Sequence, residues 1–333
     1  MKPLRTAILG CGQIAHRHVH TLQSFKQDFE IVAFCNRNIE KAMAFSEKYT
    51  AGSAPVFSDH HEMFNQVGLD LVLITLPPYA HSDEVEVAAG LGVHVFIEKP
   101  VALASEQAWR MVVAAERAGI RTQVGFKLRF GAAVERMKAL LDSGAAGRPG
   151  LMAGRYFCNS LHASWWRQRE KSGGQLLEQA IHLIDLLRCL FGEPLTVYSR
   201  QANLFHQHVP DYTIEDTSAS IFGFPSGALG VIYATNNAIP GRWISDFKLV
   251  TGHVTADFED ANHALLTYTN DPQTPAETVA SERDCFAAEL LDLSNAIRGG
   301  GETRIPLREG ARSLDLALAA VRSAQERREV RLP

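Results

Sequence analysis

Thr6–Leu9 is a short apolar run that breaks into Gly10-Cys11-Gly12-Gln13-Ile14-Ala15, continues as a helical stretch to about Phe25 and is followed by a second apolar run, Glu30–Cys35. A strand, a GxGxxA turn and a helix in that order leave few folds open. Gly10 permits the tight turn, Gly12 lets a phosphate approach the backbone, and Ala15 lets the helix pack closely on its strand. Away from a strand and a helix the same run is an ordinary glycine turn. Here it predicts a dinucleotide held at the start of the first helix, beside Gln13 and Ile14.

The next segments keep alternating. A helix over Ile39–Tyr49 precedes a short strand near Val56, and Leu69–Leu76 (LDLVLITL) is apolar enough for a parallel strand covered on both faces. Pro77-Pro78 stops it, Ser82–Leu91 reads as a helix capped by Ser82, and Val93–Ile97 is the next strand. The expected fold is a doubly wound α/β sheet with its ligand crevice outside the carboxyl ends of the strands. Thr75, Pro77, His81, Glu98 and Lys99 would then border that crevice. Burying Glu98 and Lys99 would cost several kcal/mol without partners, and Pro100 ends the ladder. Asn36 and Arg37 close the second strand, where an acid commonly binds the ribose. Asn36 can bond a ribose or phosphate oxygen, and Arg37 either meets a 2′-phosphate or is simply solvated, so the cofactor reading is NADP or NAD with a lean to NADP.

After a helix over Ala102–Ala118 the pattern changes, and two domains are expected, 1–122 and 123–333. Strand-like runs at Leu151–Asn159, Leu195–Leu204, Thr217–Phe224, Ala228–Asn236 and Ser245–Phe258 have little helix between them, and Phe224-Pro225-Ser226-Gly227 reads as a hairpin turn. A large, mostly antiparallel sheet with helices on one face follows, closed by helices at Ser281–Arg298 and Glu309–Arg327. Ahead of these strands, Glu178–Phe191 (EQAIHLIDLLRCLF) is apolar on nearly every side. At 100° per residue Glu178, His182 and Asp185 share a wedge of about 60°. Such a cluster is either a satisfied buried network or a general acid–base site. Arg129, Arg155, Asn159, Trp165 and Trp166 lie in segments expected to border the crevice. The tryptophans offer either a sugar-stacking face or packing surface.

A formal charge of −4 provides no general attraction to nucleic acid or acidic membranes. No apolar run approaches the roughly 20 residues needed to span a bilayer. MKPLR leads directly into the first strand, and the five scattered cysteines read as reduced thiols, so a cytoplasmic location is expected. His61-Glu62 lacks a second histidine three residues on, and no metal is expected.

The sequence resembles the Gfo/Idh/MocA family of NAD(P)-dependent oxidoreductases. The motifs are GCGQIA, TLPPYAH (Thr75–His81), Glu98-Lys99-Pro100, GFKLRF (Gly125–Phe130), GGQLLEQAIHLID (Gly173–Asp185) and the ending VRLP. The resemblance implies a Rossmann domain plus an α/β domain whose open sheet forms a homodimer or homotetramer. It implies hydride transfer to or from a hydroxyl or carbonyl of a sugar, polyol or sugar nucleotide. Lys99 and His182 match the family's catalytic lysine and histidine. Glu178 stands where the family usually has aspartate. Two rivals remain: a dinucleotide sensor that has lost the chemistry, and a reductase of a non-sugar carbonyl or imine.

Overall fold

The computed structural model describes residues 2–332; Met1 and Pro333, the last residue of VRLP, lie outside them. The chain divides into two compact units. One takes the chain up to Phe126 together with Phe286–Ala311, and the other takes Lys127–Cys285 and the chain from Arg312 on. The units therefore differ from the expected segments 1–122 and 123–333. Leu290 and Leu293, on a helix far along the chain, pack into the core of the first unit beside Val19, Leu22 and Phe29. Apolar periodicity marks a helix's buried face but not which core receives it.

In the first unit β1 (Leu4–Leu9), α1 (Gln13–Ser24), β2 (Phe29–Cys35), α2 (Ile39–Thr50), β3 (Val56–Phe57) and α3 (His60–Gln66) form one half. β4 (Leu71–Ile74), α4 (Glu84–Gly90), β5 (His94–Ile97), α5 (Ser105–Ala118) and β6 (Thr122–Val124) form the other. The parallel sheet has the order β3-β2-β1-β4-β5-β6. All of β4 is buried, as its uninterrupted apolar run requires. The helix expected from Ser82 begins two residues later. Ser82 donates its amide and hydroxyl to the Glu84 carboxylate (2.7 and 3.1 Å) in place of capping, and Asp83 takes the N-cap position without a side-chain cap bond.

The second unit contains α6 (Ala132–Asp142), β7 (Pro149–Phe157), α7 (Arg169–Ser172), a π-helical turn (Leu176–Ala180) and α8 (Ile181–Phe191). Then come β8 (Thr196–Ala202), β9 (Thr217–Gly223), β10 (Leu229–Thr235), β11 (Phe247–Thr251), β12 (Val254–Phe258), β13 (Ala264–Tyr268) and β14 (Glu277–Val279). α9 (Cys285–Gly299), α10 (Leu307–Glu326) and β15 (Val330–Arg331) end the chain. The nine-stranded sheet runs β14-β13-β12-β11-β7-β10-β9-β8-β15, and the neighbours β7 and β10 are parallel within an otherwise antiparallel set. The expected turn at residues 224–227 does join β9 to β10. The single run expected over Ser245–Phe258 is instead two strands that turn at Gly252. α8 covers one face so closely that a Cβ on Gly230 would stand 2.3 Å from Leu187 Cδ2. The opposite face carries exposed Leu151, Ile221, Leu229 and Val250 from four adjacent strands. No helix among the described residues is long and apolar enough to cross a membrane.

Candidate active site

Three loops meet at the carboxyl edge of the first unit's sheet. Gly10 has φ +101°, and a Cβ there would stand 2.9 Å from the Thr75 carbonyl. Thr75 donates its amide to Leu9 O (2.8 Å) and its hydroxyl to Gly10 O (2.5 Å), so its side chain closes the turn from beneath. Gly12 precedes α1 without a side-chain cap, and nothing lies within 4 Å of where its Cβ would be. The first turn of α1 contains no acid, Gln13 and Ile14 are exposed, and Ala15 is fully buried. Open amides at the positive end of a helix, with no side chain in the way, fit a pyrophosphate. Asn36 Oδ1 accepts from Cys11 N (3.0 Å), and its Nδ2 donates to Asn38 O (2.9 Å). Both ends of this amide therefore fasten the loop, whereas Arg37 beside it is exposed. Burial pushes the Cys11 and Cys35 thiols up to about 12, so neither is a nucleophile at neutral pH.

Two strands from β1, on the order of 10 Å across the sheet, β5 ends in Glu98 and Lys99. Glu98 N donates to Ile74 O at 2.9 Å, which continues the strand register into the loop. The buried Glu98 carboxylate pairs through Oε1 with His18 Nε2 at 2.8 Å and accepts the Lys99 amide on Oε2 at 3.1 Å. Burial alone would raise this carboxyl. The hydrogen bond and charge of His18, then the charge of Lys99, hold it below the usual range. Expected as a cofactor contact, Glu98 instead ties the backbone of Lys99 to α1. The Lys99–Pro100 peptide is cis.

His18 went unrecognised because His16, His18 and His20 alternate on α1 and read as surface or packing residues. His16 does stack on Phe45, at 4.3 Å. His18 differs by being fully buried, facing the sheet and reaching an acid 80 positions away. Pro77 precedes a 3₁₀ turn, and buried His81 pairs through Nδ1 with Glu84. Burial acts to raise Glu84, but the His81 bond and charge and the Ser82 amide bring it down to about 2.

In the second unit the helical wedge spans two elements, the π-helical turn and α8. Glu178 lies in the π-helical turn, where 100° per residue no longer applies, and its Oε2 accepts from Trp166 Nε1 at 2.9 Å. Asp185 is 1% exposed and takes a two-pronged bond from Arg129 (2.7 and 2.6 Å) and another from Ser313 Oγ (2.8 Å). Arg129, expected to touch substrate, is thereby held in an ion pair whose arginine side chain is 9% exposed. His182 is half-buried one turn ahead of Asp185. Arg155 binds Asp246 at 2.6 Å through both prongs. β7 alternates, so Arg155 points away from the face on which Gly154 meets Leu183 of α8. Asn159 donates to Ala238 O at 2.9 Å.

Trp166 is buried with Tyr212 and Ile214, and Trp165 packs against that cluster. Trp166 packs in this cluster and also holds Glu178, while Trp165 is half-buried at its side. Sequence reading missed His162 and Gln179, joined at 3.0 Å beside Cys158. The signal was the cluster CNSLHASWW. It missed Glu215 too, 39 positions from its partner, which accepts Leu176 N at 2.8 Å and Arg169 at 2.8 Å and so anchors the start of the π-helical turn. Burial raises the Glu215 carboxyl against the pull of Arg169 and that amide.

Both parts of the chain have counterparts among known proteins. Residues 4–126 match the model of an oxidoreductase family with an NAD-binding Rossmann fold, and residues 134–252 match the GFO/IDH/MocA C-terminal domain. Myo-inositol 2-dehydrogenase of Thermotoga maritima is 26% identical over 99% of this chain and 98% of its own. The WlbA dehydrogenase of Bordetella pertussis, solved with NADH and UDP-GlcNAcA, is 26% identical with a TM-score of 0.85 over 99% of each chain. A levoglucosan dehydrogenase solved with NADH and L-sorbose shares the fold at a TM-score of 0.90 and 21% identity, over the whole of both chains. With both of its domains matched in order, the chain belongs to the Gfo/Idh/MocA family of oxidoreductases.

Proposed function

We propose that this protein transfers a hydride between a nicotinamide dinucleotide and a secondary alcohol or carbonyl of a sugar, polyol or sugar derivative. The observation that carries the reading is the placement of Lys99. It ends a strand two positions across the sheet from an open glycine loop, with its backbone held by the buried Glu98–His18 pair. The named activities of the inositol and UDP-sugar relatives support the substrate class.

The bound nicotinamide supplies the hydride donor or acceptor. Lys99 hydrogen-bonds the reacting oxygen, and its charge stabilises alkoxide character in the transition state. His182 carries the proton of that hydroxyl, a role worth about 10² to 10⁴ in rate. Glu178, steadied by Trp166, orients His182 or binds a neighbouring hydroxyl. Asn159 remains a substrate-side candidate, whereas Arg129 and Arg155 serve through the ion pairs that hold their surroundings. Arg37 is free of ion pairs among the described residues and so is available to a 2′-phosphate, which favours use of NADP beside NAD. The apolar face formed by Leu151, Ile221, Leu229 and Val250 supports a homodimer or homotetramer built on the open sheet.

The test is turnover of purified protein with NAD⁺ or NADP⁺ against inositols, aldoses, sugar acids and sugar nucleotides. Lys99→Met is expected to lower kcat at least a hundredfold with the Kd for dinucleotide unchanged. Near-normal turnover by that variant would remove Lys99 from the chemistry. Tight dinucleotide binding with no turnover on any substrate would favour a sensor.

A further inference from the structure

On the first unit, His60 and His61 begin α3 and face Asp83 across 23 positions of sequence. His60 Nε2 lies 2.9 Å from Asp83 Oδ1, and His61 Nε2 lies 3.3 Å from Asp83 Oδ2. The ligand atoms of all three residues fall within 4.8 Å of one another. The His60 ring is steadied edge-on by Phe64 and stacks obliquely at 4.2 Å on His61. Asp83 occupies the N-cap position of α4, yet makes no cap bond. Its carboxylate is turned to the imidazoles instead.

From this arrangement we propose a transition-metal site formed by His60, His61 and Asp83, for Zn²⁺ or an ion of similar preference. Two imidazole nitrogens and one carboxylate oxygen are the donors such ions take, while Mg²⁺ and Ca²⁺ require oxygen shells. Metal–ligand bonds of about 2.0–2.1 Å put tetrahedral ligands about 3.3 Å apart. The two nitrogen–oxygen separations, 2.9 and 3.3 Å, lie at or just below that value. Binding exchanges the two His–Asp hydrogen bonds for coordination and leaves a fourth position to water. The ion would fasten α3 to the turn at residues 81–84, which α5 already holds through Gln107 to His81 O (3.1 Å) and Arg110 to Ser82 O (3.2 Å). A search for paired histidines at fixed helical spacing passes over this site because its third donor comes from another element.

The experiment is calorimetric titration of Zn²⁺ into tag-free, chelator-treated full-length protein at neutral pH, with Co²⁺ as a spectroscopic probe of coordination. Wild type should bind one equivalent, and His61→Ala and Asp83→Asn should each weaken it at least tenfold. His61 is 49% exposed, so its replacement leaves the core intact, and circular dichroism verifies this. Equal affinity in wild type and both variants would place the ion elsewhere among the 13 histidines and overturn the proposal. Absence of binding by wild type would overturn it as well.

Discussion

At the edge of the first unit's sheet, Glu98 and Lys99 follow a parallel strand, and the groups that fix them come from adjacent strands and from α1. In the second unit His182 and its acids ride on a helix, and each acid is taken by a residue remote in the chain. Asp185 goes to Arg129, 56 positions away, and to Ser313, 128 positions away; Glu178 goes to Trp166. Both units bury charge, and both pair it. The parallel strand fixes where the charged residues sit even though the partner of Glu98, His18, comes from a helix 80 positions away, whereas a helix packed on an antiparallel sheet draws partners from any layer it touches. A polar residue in the first setting can be read for function from its strand. In the second, function and support look alike until the partners are known.

That contrast separates two residues three positions apart. His182→Asn is expected to lower kcat by about 10² to 10⁴ while leaving the urea midpoint close to wild type. Asp185→Asn should do the reverse. Stripping the charge from the buried Asp185 removes the two-pronged partner of Arg129 and costs about 3–5 kcal/mol, with kcat per folded molecule within tenfold of wild type. Denaturant unfolding and kinetics on the same preparations decide it. If Asp185→Asn kept its stability and lost its turnover, the helical wedge would be a catalytic triad after all.

The buried glutamates extend the comparison to pH. Glu84 is held at about 2 against an ordinary 4.5, so its stabilisation is complete above about 4.5 and is lost as pH falls through about 2. Glu84→Gln should therefore cost on the order of 3 kcal/mol near neutrality. The gap from wild type should close on acidification; a gap independent of pH would mean that packing is its origin. Glu215 in the second unit is raised, and the sign inverts. Its contribution is present below the ordinary glutamate range and is lost as pH rises through the elevated value.

Much of the glycine loop is legible in the sequence itself. Gly10, Gly12 and Ala15 are constrained by backbone geometry, and geometry follows from residue type at fixed spacing. Lys99 was legible for a related reason, since few roles suit an ammonium at the end of a buried strand. The partners were not. His18 looked like its neighbours on α1 because a heptad-scale pattern cannot tell a buried imidazole with an acid from one without. The wheel placing Glu178 beside His182 assumed α-helical rotation throughout, and nothing in the sequence announces the π-helical turn at Leu176–Ala180 that Glu215 anchors. The return of Phe286–Ala311 to the first unit was invisible because linear composition holds no record of it.

The smallest expected effect concerns the second strand's end, where the two neighbours Asn36 and Arg37 divide support from recognition as the two units do. Asn36 spends one end of its amide on the glycine loop at Cys11 and the other on Asn38 at the start of α2, so its replacement would loosen binding of either dinucleotide alike. Arg37 is exposed and holds nothing in place. Arg37→Ala should therefore leave stability and the KM for NAD⁺ unchanged while raising the KM for NADP⁺ about tenfold, the loss of one charge-assisted contact to a 2′-phosphate. Equal KM shifts for both cofactors would assign Arg37 to the shape of the loop. An unchanged NADP⁺ KM would leave the ribose edge to Asn36 and the backbone, and would make NAD the cofactor this chain is built to hold.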